Sequence, residues 1–557
     1  MDGRQPFFAI FFFFCSTISD HQHSANRVYF TTTSLSSSIV DTLTYSVQQT
    51  PRRTFAMPLL DKLRTNSQDP SGDDRLGLWD PSLKQQRKGT LKKVLIAFLL
   101  ITISMWLFLP VYFGSYYRQT ENTYRLTTLI LDLDSAASTL SSTLSSSLPN
   151  AQTQPYTAIL GPAITQSART YLTEVAPLTN STTWALGYTF PTDEQLSEFS
   201  LPYRNNQGEI GYTPGVDPEE WAKEKVHGQT YWAVVLVRGN ATLLALEALA
   251  GRVDSYDPMG SVAIIYTESR NFFTSNQYVS TQTVELVTAA SNQAGSTLID
   301  NYLESTNDAA AVADTASAGG GAGRMVLTRP FGYSEYNLAP FDQLAGEAAT
   351  TAGAIYLIIF VFFFTPIWTG VYSTVRSGLT LGSDLVLTIL ANLGWYFWIS
   401  LHYSLLSLAF GVTFTRARGY GGFPLYWLMN FVTMMALGFP MQFFFEILGQ
   451  PYFPFFLVFW VIINVSVAFL DIADMDPFYS YGFAFPVWNN VDAAKHLFFA
   501  TKSHLVQNFA VNLAWALVSA FLLACLVFHR RSKETRSAWE AHRKELHPPK
   551  RQMRLVL

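Results

Sequence analysis

Six long apolar stretches leave this chain few folds to adopt. They run over Val94–Gly114, about Thr351–Tyr372, about Asp384–Phe410, about Phe423–Leu448, about Tyr452–Ala473 and about Val506–Phe528. A helix rising about 1.5 Å per residue crosses a hydrocarbon core of about 30 Å with about 20 apolar residues. Lipid gives the backbone no hydrogen-bond partner, so each stretch is predicted to be helical. The expected fold is an α-helical integral membrane protein with six transmembrane helices. Composition agrees: charged residues are 14% of the 557, against roughly 25% in soluble proteins. A purely soluble enzyme, a disordered scaffold and a nucleic-acid binder are all disfavoured, and a net charge of −4 offers no polyphosphate-binding balance. Cys15 and Cys525 build neither a disulfide framework nor a Cys-based zinc site.

Lys84, Arg87, Lys88, Lys92 and Lys93 precede the first stretch, and Arg530, Arg531, Lys533 and Arg536 follow the last. The positive-inside rule puts both flanks in the cytosol, as an even number of spans requires. Arg416 and Arg418, between the third and fourth stretches, dissent. Residues 115–350 then form one extracytoplasmic domain between helices 1 and 2, with 24 acidic and 11 basic residues, whereas the tail 529–557 has 9 basic and 3 acidic. Two N-glycosylation sequons, at Asn180 and Asn240, fall inside that domain. Residues 351–528 would form a five-helix membrane domain. Residues 1–93 are expected to be cytosolic and largely disordered, with 1–56 either a leader or a gene-model extension ahead of Met57.

The domain reads as mixed α/β. Arg125–Leu133, Tyr231–Val237 and Ser261–Tyr266 have strand composition. Thr165–Val175, Ala241–Ala250 and Ser280–Leu303 read as helices, and Ala309–Gly323 as a low-complexity insertion.

Several segments carry a resemblance. They are Pro110–Tyr117 followed by Asp132–Asp134, Gly161–Ile164, Tyr231–Ala233 followed by Asn240–Thr242, Tyr256–Pro258 with Tyr266 and Arg270–Asn271, and Tyr481–Pro486 before the last stretch. In this order, around one large loop, the chain resembles the fungal nitrosoguanidine-resistance membrane-protein family, whose membrane region is similar to ABC-2-type permeases. The resemblance implies a plasma-membrane protein tied to resistance to toxic compounds and to lipid distribution across the bilayer. It supplies no catalytic residues.

Ionisable groups inside a membrane are costly and often functional. Glu446 near the end of the fourth stretch is either a coupling carboxylate or a headgroup-facing residue. His402 is either a pathway group or a hydrogen-bonded interior one. Asp471 and Asp474, at i and i+3, share a helix face and read as a cation or headgroup site or as a solvated rim. Asn392, Asn430, Asn464, Asn508 and Asn512 read as bonds across helices that set packing, or as the lining of a polar pathway. Lys495, His496 and Lys502 among Leu497, Phe498 and Phe499 suggest an interfacial amphipathic helix or an aromatic-belt anchor. There is no Walker A sequence and no G-x-S-x-G, so no enzyme, cofactor or metal is expected. The expected partners are membrane lipids, a hydrophobic small-molecule substrate, and a second copy or a separate ATPase chain; no nucleic acid is. The expected function is export or transbilayer redistribution of hydrophobic compounds or lipids, or its regulation. The rival reading is a non-transporting scaffold or sensor whose large loop binds a ligand.

Overall fold

The computed structural model describes residues 81–117, 119–147, 156–175, 185–204, 210–306, 321–351, 353–376 and 378–546. Residues 1–56, the sequon Asn180 and most of Ala309–Gly323 lie outside the described residues. Helix α1 (Lys84–Ser115) carries the first apolar stretch.

An α/β region follows. Strand β1 (Thr127–Asp132) lies between β2 (Gly187–Thr189) and β5 (Ala233–Val237), parallel to both. β5 pairs antiparallel with β6 (Val262–Tyr266), which pairs parallel with β7 (Tyr333–Asn337). The sheet order is β2-β1-β5-β6-β7, and β3 (Pro202–Arg204) and β4 (Ile210–Tyr212) make a separate hairpin. All residues of β5 and β6 are buried, because helices cover both faces, as their unbroken apolar runs suggest. Helix α2 (Leu133–Ser147) follows β1; on one face Ile130, Val235 and Ile264 meet Ile164 of α3 (Leu160–Thr170), with residues of α5 (Ala241–Leu249), α6 (Thr281–Thr306) and α7 (Ala322–Thr328) in the same core. On the other face Leu131, Leu236 and Ile265 meet Ala222 and Val226 of α4 (Pro218–His227), which starts on an Asp217 cap and a Pro at its first position.

The remaining helices are α8 (Leu344–Thr350), α9 (Gly353–Arg376), α10 (Leu381–Ala409), α11 (Gly422–Leu448), α12 (Phe453–Val465), α13 (Pro486–Phe499) and α14 (Leu505–Leu546). Helix α11 is central. Its Met434, Leu437, Met441 and Phe445 join Leu357 and Val361 of α9, Tyr396 of α10, Trp460 of α12 and Leu523 of α14 in one core. A Cβ on Gly438 would stand 2.2 Å from the Tyr396 ring, so this glycine sets the approach of α10 to α11.

Two expectations differ from the structure. Among the described residues five helices are long and apolar enough to cross a membrane, against the six expected. The stretch Tyr452–Ala473 yields only α12, of 13 residues, or about 20 Å at 1.5 Å per residue. Asn464 donates to Trp460 O (2.9 Å) and Ser466 to Ile462 O (2.6 Å), side-chain bonds that compete with continued helix. The chain nevertheless runs from one end of the helices to the other between Leu448 and Phe469. Glu446, at the Leu448 end of α11, meets Arg530, whereas Phe469 O accepts from Asn271 Nδ2 (3.2 Å) in the α/β region. The second correction concerns α13. It is no surface helix: Val487, Asn490, Val491, Ala494, Leu497 and Phe498 are all buried.

Candidate functional site

Four helices bring amides and hydroxyls together inside their apolar packing. Asn490 on α13 donates to Asn430 Oδ1 (2.9 Å) and Thr433 Oγ1 (3.0 Å) on α11. Asn430 donates to Ser404 on α10 (2.9 Å), and Asn512 on α14 donates to Thr433 (2.9 Å). Each of these five side chains has 0–1% exposure. Toward the α/β region, the Asp492 carboxylate accepts from Asn508 (3.0 Å) and faces His504 Nδ1 (3.2 Å). The result is a five-residue polar seam with a separate Asp492 group beyond it, costly to build in apolar surroundings. Asn430, Asn508 and Asn512 were legible as polar residues in apolar stretches; Asn490 and Asp492 were hidden in the segment read as interfacial. Asn392 donates instead within α10, to Thr388 O (2.8 Å).

The seam ends near a charged junction with the α/β region. Asp474 is fully buried and accepts from Thr274 Oγ1. Asn122 donates to Asp474 O (3.2 Å), and Arg125 to Met475 O (2.8 Å). Lys495 donates to Arg270 O (3.2 Å), and the Arg270 guanidinium lies 3.7 Å over the Trp232 ring. Burial, with repulsion from Asp471, pushes the Asp474 carboxyl up to about 7, against the opposing pull of Thr274 and Arg270. Asp471 and Asp474 therefore do not form a rim pair on a long helix. Asp471 caps the short turn Ile472–Asp474, its Oδ1 accepting from Ala473 N (3.0 Å).

At the opposite end of the helices lies an ionic cluster. Glu446 pairs with Arg530 and accepts from Gln442 (3.4 Å), so it is an ion-paired group and does not reach outward. Arg376 meets Glu534 at 3.2 Å and Asp384 at 4.0 Å. His402 faces outward from the helices, its Nδ1 against Trp398 O (2.8 Å) and its ring 4.4 Å from that indole. Arg416 pairs with Asp342 (2.6 Å), and Arg418 donates to Ser503 (3.4 Å). Neither meets Asp471 or Asp474, and the Asp342 pair puts the dissenting arginines beside the α/β region.

A third group sits at the carboxyl ends of β1 and β5, where the chain leaves β1 to opposite sides, the usual crevice of an open α/β sheet. Asp134, with 0% exposure, accepts from Thr242 N (3.1 Å) and Thr242 Oγ1 (2.6 Å). Burial pushes its carboxyl up to about 6, opposed by the Thr242 bonds. Asn240 is 2% exposed, sits at φ 64°, and accepts from Tyr156 OH (3.1 Å). In the fold, then, both polar residues of the expected sequon at Asn240 are turned inward and bonded within the α/β region. Among the described residues no group of three or more His, Cys, Asp or Glu could hold a metal ion.

No solved structure matches the chain. Over 197 residues it is 26% identical to a Saccharomyces cerevisiae protein described as an uncharacterized endoplasmic reticulum membrane protein. The match covers 35% of this chain and 39% of that relative. With five long apolar helices beside such a relative, the chain is a multi-pass membrane protein. Residues 97–521 match one family throughout, and the chain belongs to it: the family described as Protein of unknown function (DUF3533).

Proposed function

We propose that the protein moves hydrophobic compounds or lipids across a bilayer, or regulates that movement. One observation carries this reading: the Ser404–Asn430–Asn490–Thr433–Asn512 seam. Polar groups among membrane helices are expensive, and where they line up they mark pathways. The likeness of its segments to nitrosoguanidine-resistance proteins supports toxic compounds among the cargo, and an ABC-2-like arrangement of the helices. Flux of a fluorescent lipid in vesicles reconstituted with the protein tests it. Asn490→Leu should slow flux about tenfold, the effect of ~1.4 kcal/mol on a barrier. Flux in protein vesicles equal to that in empty vesicles removes the reading and leaves a scaffold.

For residence we propose the endoplasmic reticulum membrane, in place of the plasma membrane, on the description of the yeast relative. Colocalisation of a tagged chain with reticulum or cell-surface markers decides between them.

A further inference from the structure

Asp384 stands in the first turn of α10, and its side chain has 0% exposure. Neither of its carboxyl oxygens has a hydrogen-bond partner. Every base facing it is engaged elsewhere. Arg376, at the end of α9, holds its Nη2 on Glu534 Oε1 at 3.2 Å, while its Nε stands 4.0 Å from Asp384 and is itself without a hydrogen bond. On α14, Arg530 is paired with Glu446, and Arg531 donates to Arg376 O (3.2 Å), to Leu379 O and to Glu534 (3.2 Å). The acids nearby are Glu446 on α11 and Glu534 on α14, and both add negative potential. A bare carboxylate, sealed from water and without a donor, is the most costly state such a group can take.

We propose that Asp384 is a proton-binding site, and that release of its proton draws Arg376 away from Glu534. The O–H bond of the carboxyl breaks, the proton passes to solvent at that end of the helices, and no electrons move. Arg376 then exchanges one carboxylate for another, from Glu534 on α14 to Asp384 on α10. A single proton thereby decides whether the end of α9 is tied to α14 or to α10. Glu446, the acid expected from sequence to be the coupling group, is already paired with Arg530 and has no such choice. The inference does not rest on the transport reading.

Infrared spectroscopy of the purified full-length protein in lipid nanodiscs tests it through the carbonyl stretch of a protonated carboxylic acid. At neutral pH the wild type shows this band, and Asp384→Asn lacks one carboxyl of it. Asp384→Glu restores the band at a shifted frequency, which covers a failure of the asparagine variant to fold. Glu534→Gln, which frees Arg376, loses the same band; a merely buried acid would keep it. A wild-type and Asp384→Asn spectrum with equal acid bands overturns the proton site. A full band in Glu534→Gln overturns the exchange. In the flux assay, Asp384→Asn should transport at a rate indifferent to a pH gradient. Wild-type flux equal to that of empty vesicles, with the infrared result intact, would count against the transport reading alone.

Discussion

Thr242 commits its whole hydroxyl to the interior of the α/β region. It donates to Asp134 at 2.6 Å and accepts from Ile159 N at 3.0 Å and Leu160 N at 3.3 Å. Thr242→Val keeps the shape and leaves a buried carboxyl and two amides short of a partner. A loss of about 1–3 kcal/mol is expected, read as a lower melting temperature. With Asn240 only 2% exposed, the apparent mass is expected not to change. Gly438→Ala is a second sensitive site: its Cβ would lie 2.2 Å from the Tyr396 ring. Overpacking of this kind costs about 1–3 kcal/mol and should appear as a lower melting temperature in detergent. The sequon at Asn240 illustrates how far a local motif reaches. Three residues announce a sugar acceptor, but exposure depends on Tyr156, 84 residues away, which no short pattern contains.

The elements differ in how openly they declare themselves. β5 and β6 are unbroken apolar runs with helices on both sides, and α5 and α6 have strong helical composition; all four were readable. β7, Tyr-Ser-Glu-Tyr-Asn, is a polar edge strand and was not, since its place depends on pairing with β6. α13 was readable as a helix but misplaced, because Asn490 looks solvent-seeking until α11 is there to bond it, while Asn489 bonds Phe483 O and Phe485 O and His496 faces Thr501 O. The segment Phe469–Met475 carries a pH prediction. Asp474 has an ordinary value of 3.8 and stands near 7 in the fold. Below about 3.8 folded and unfolded chains are both protonated and the shift contributes nothing. Between the two values the folded chain keeps a proton the unfolded chain has lost, so stability falls as pH rises, and the loss is complete above about 7. A shift of this size corresponds to at most about 4 kcal/mol. Hydrogen exchange over residues 466–480 should therefore quicken from pH 5 to pH 7.5 beyond its intrinsic rise, and Asp474→Asn should abolish the excess.

Across the whole molecule, the abundance of apolar helix was plain from the outset, while the pairings that give the helices their order were not. Glu446 and Arg530 are separated by 84 positions, and Asn122 and Asp474 by 352. Those two contacts mark opposite ends of the helical region, and the path between Leu448 and Phe469 runs from one to the other. The topology predicted from this is six crossings, with α12 and the turns after it making the fifth. Single cysteines placed at Gln450 and at Phe478, on either side of α12, in a chain lacking Cys15 and Cys525, should react with an impermeant reagent from opposite sides of sealed vesicles. Labelling of both from one side would refute the fifth crossing.

Helix α12 also acts on its surroundings. At about 20 Å it falls short of a hydrocarbon layer of about 30 Å, and Val458 on it remains 39% exposed. Lipids beside it must shorten or tilt to avoid leaving acyl chain against polar backbone, so the bilayer dimples there. A thin membrane tolerates that mismatch better than a thick, sterol-rich one, and a lipid in the dimple has less distance to turn over.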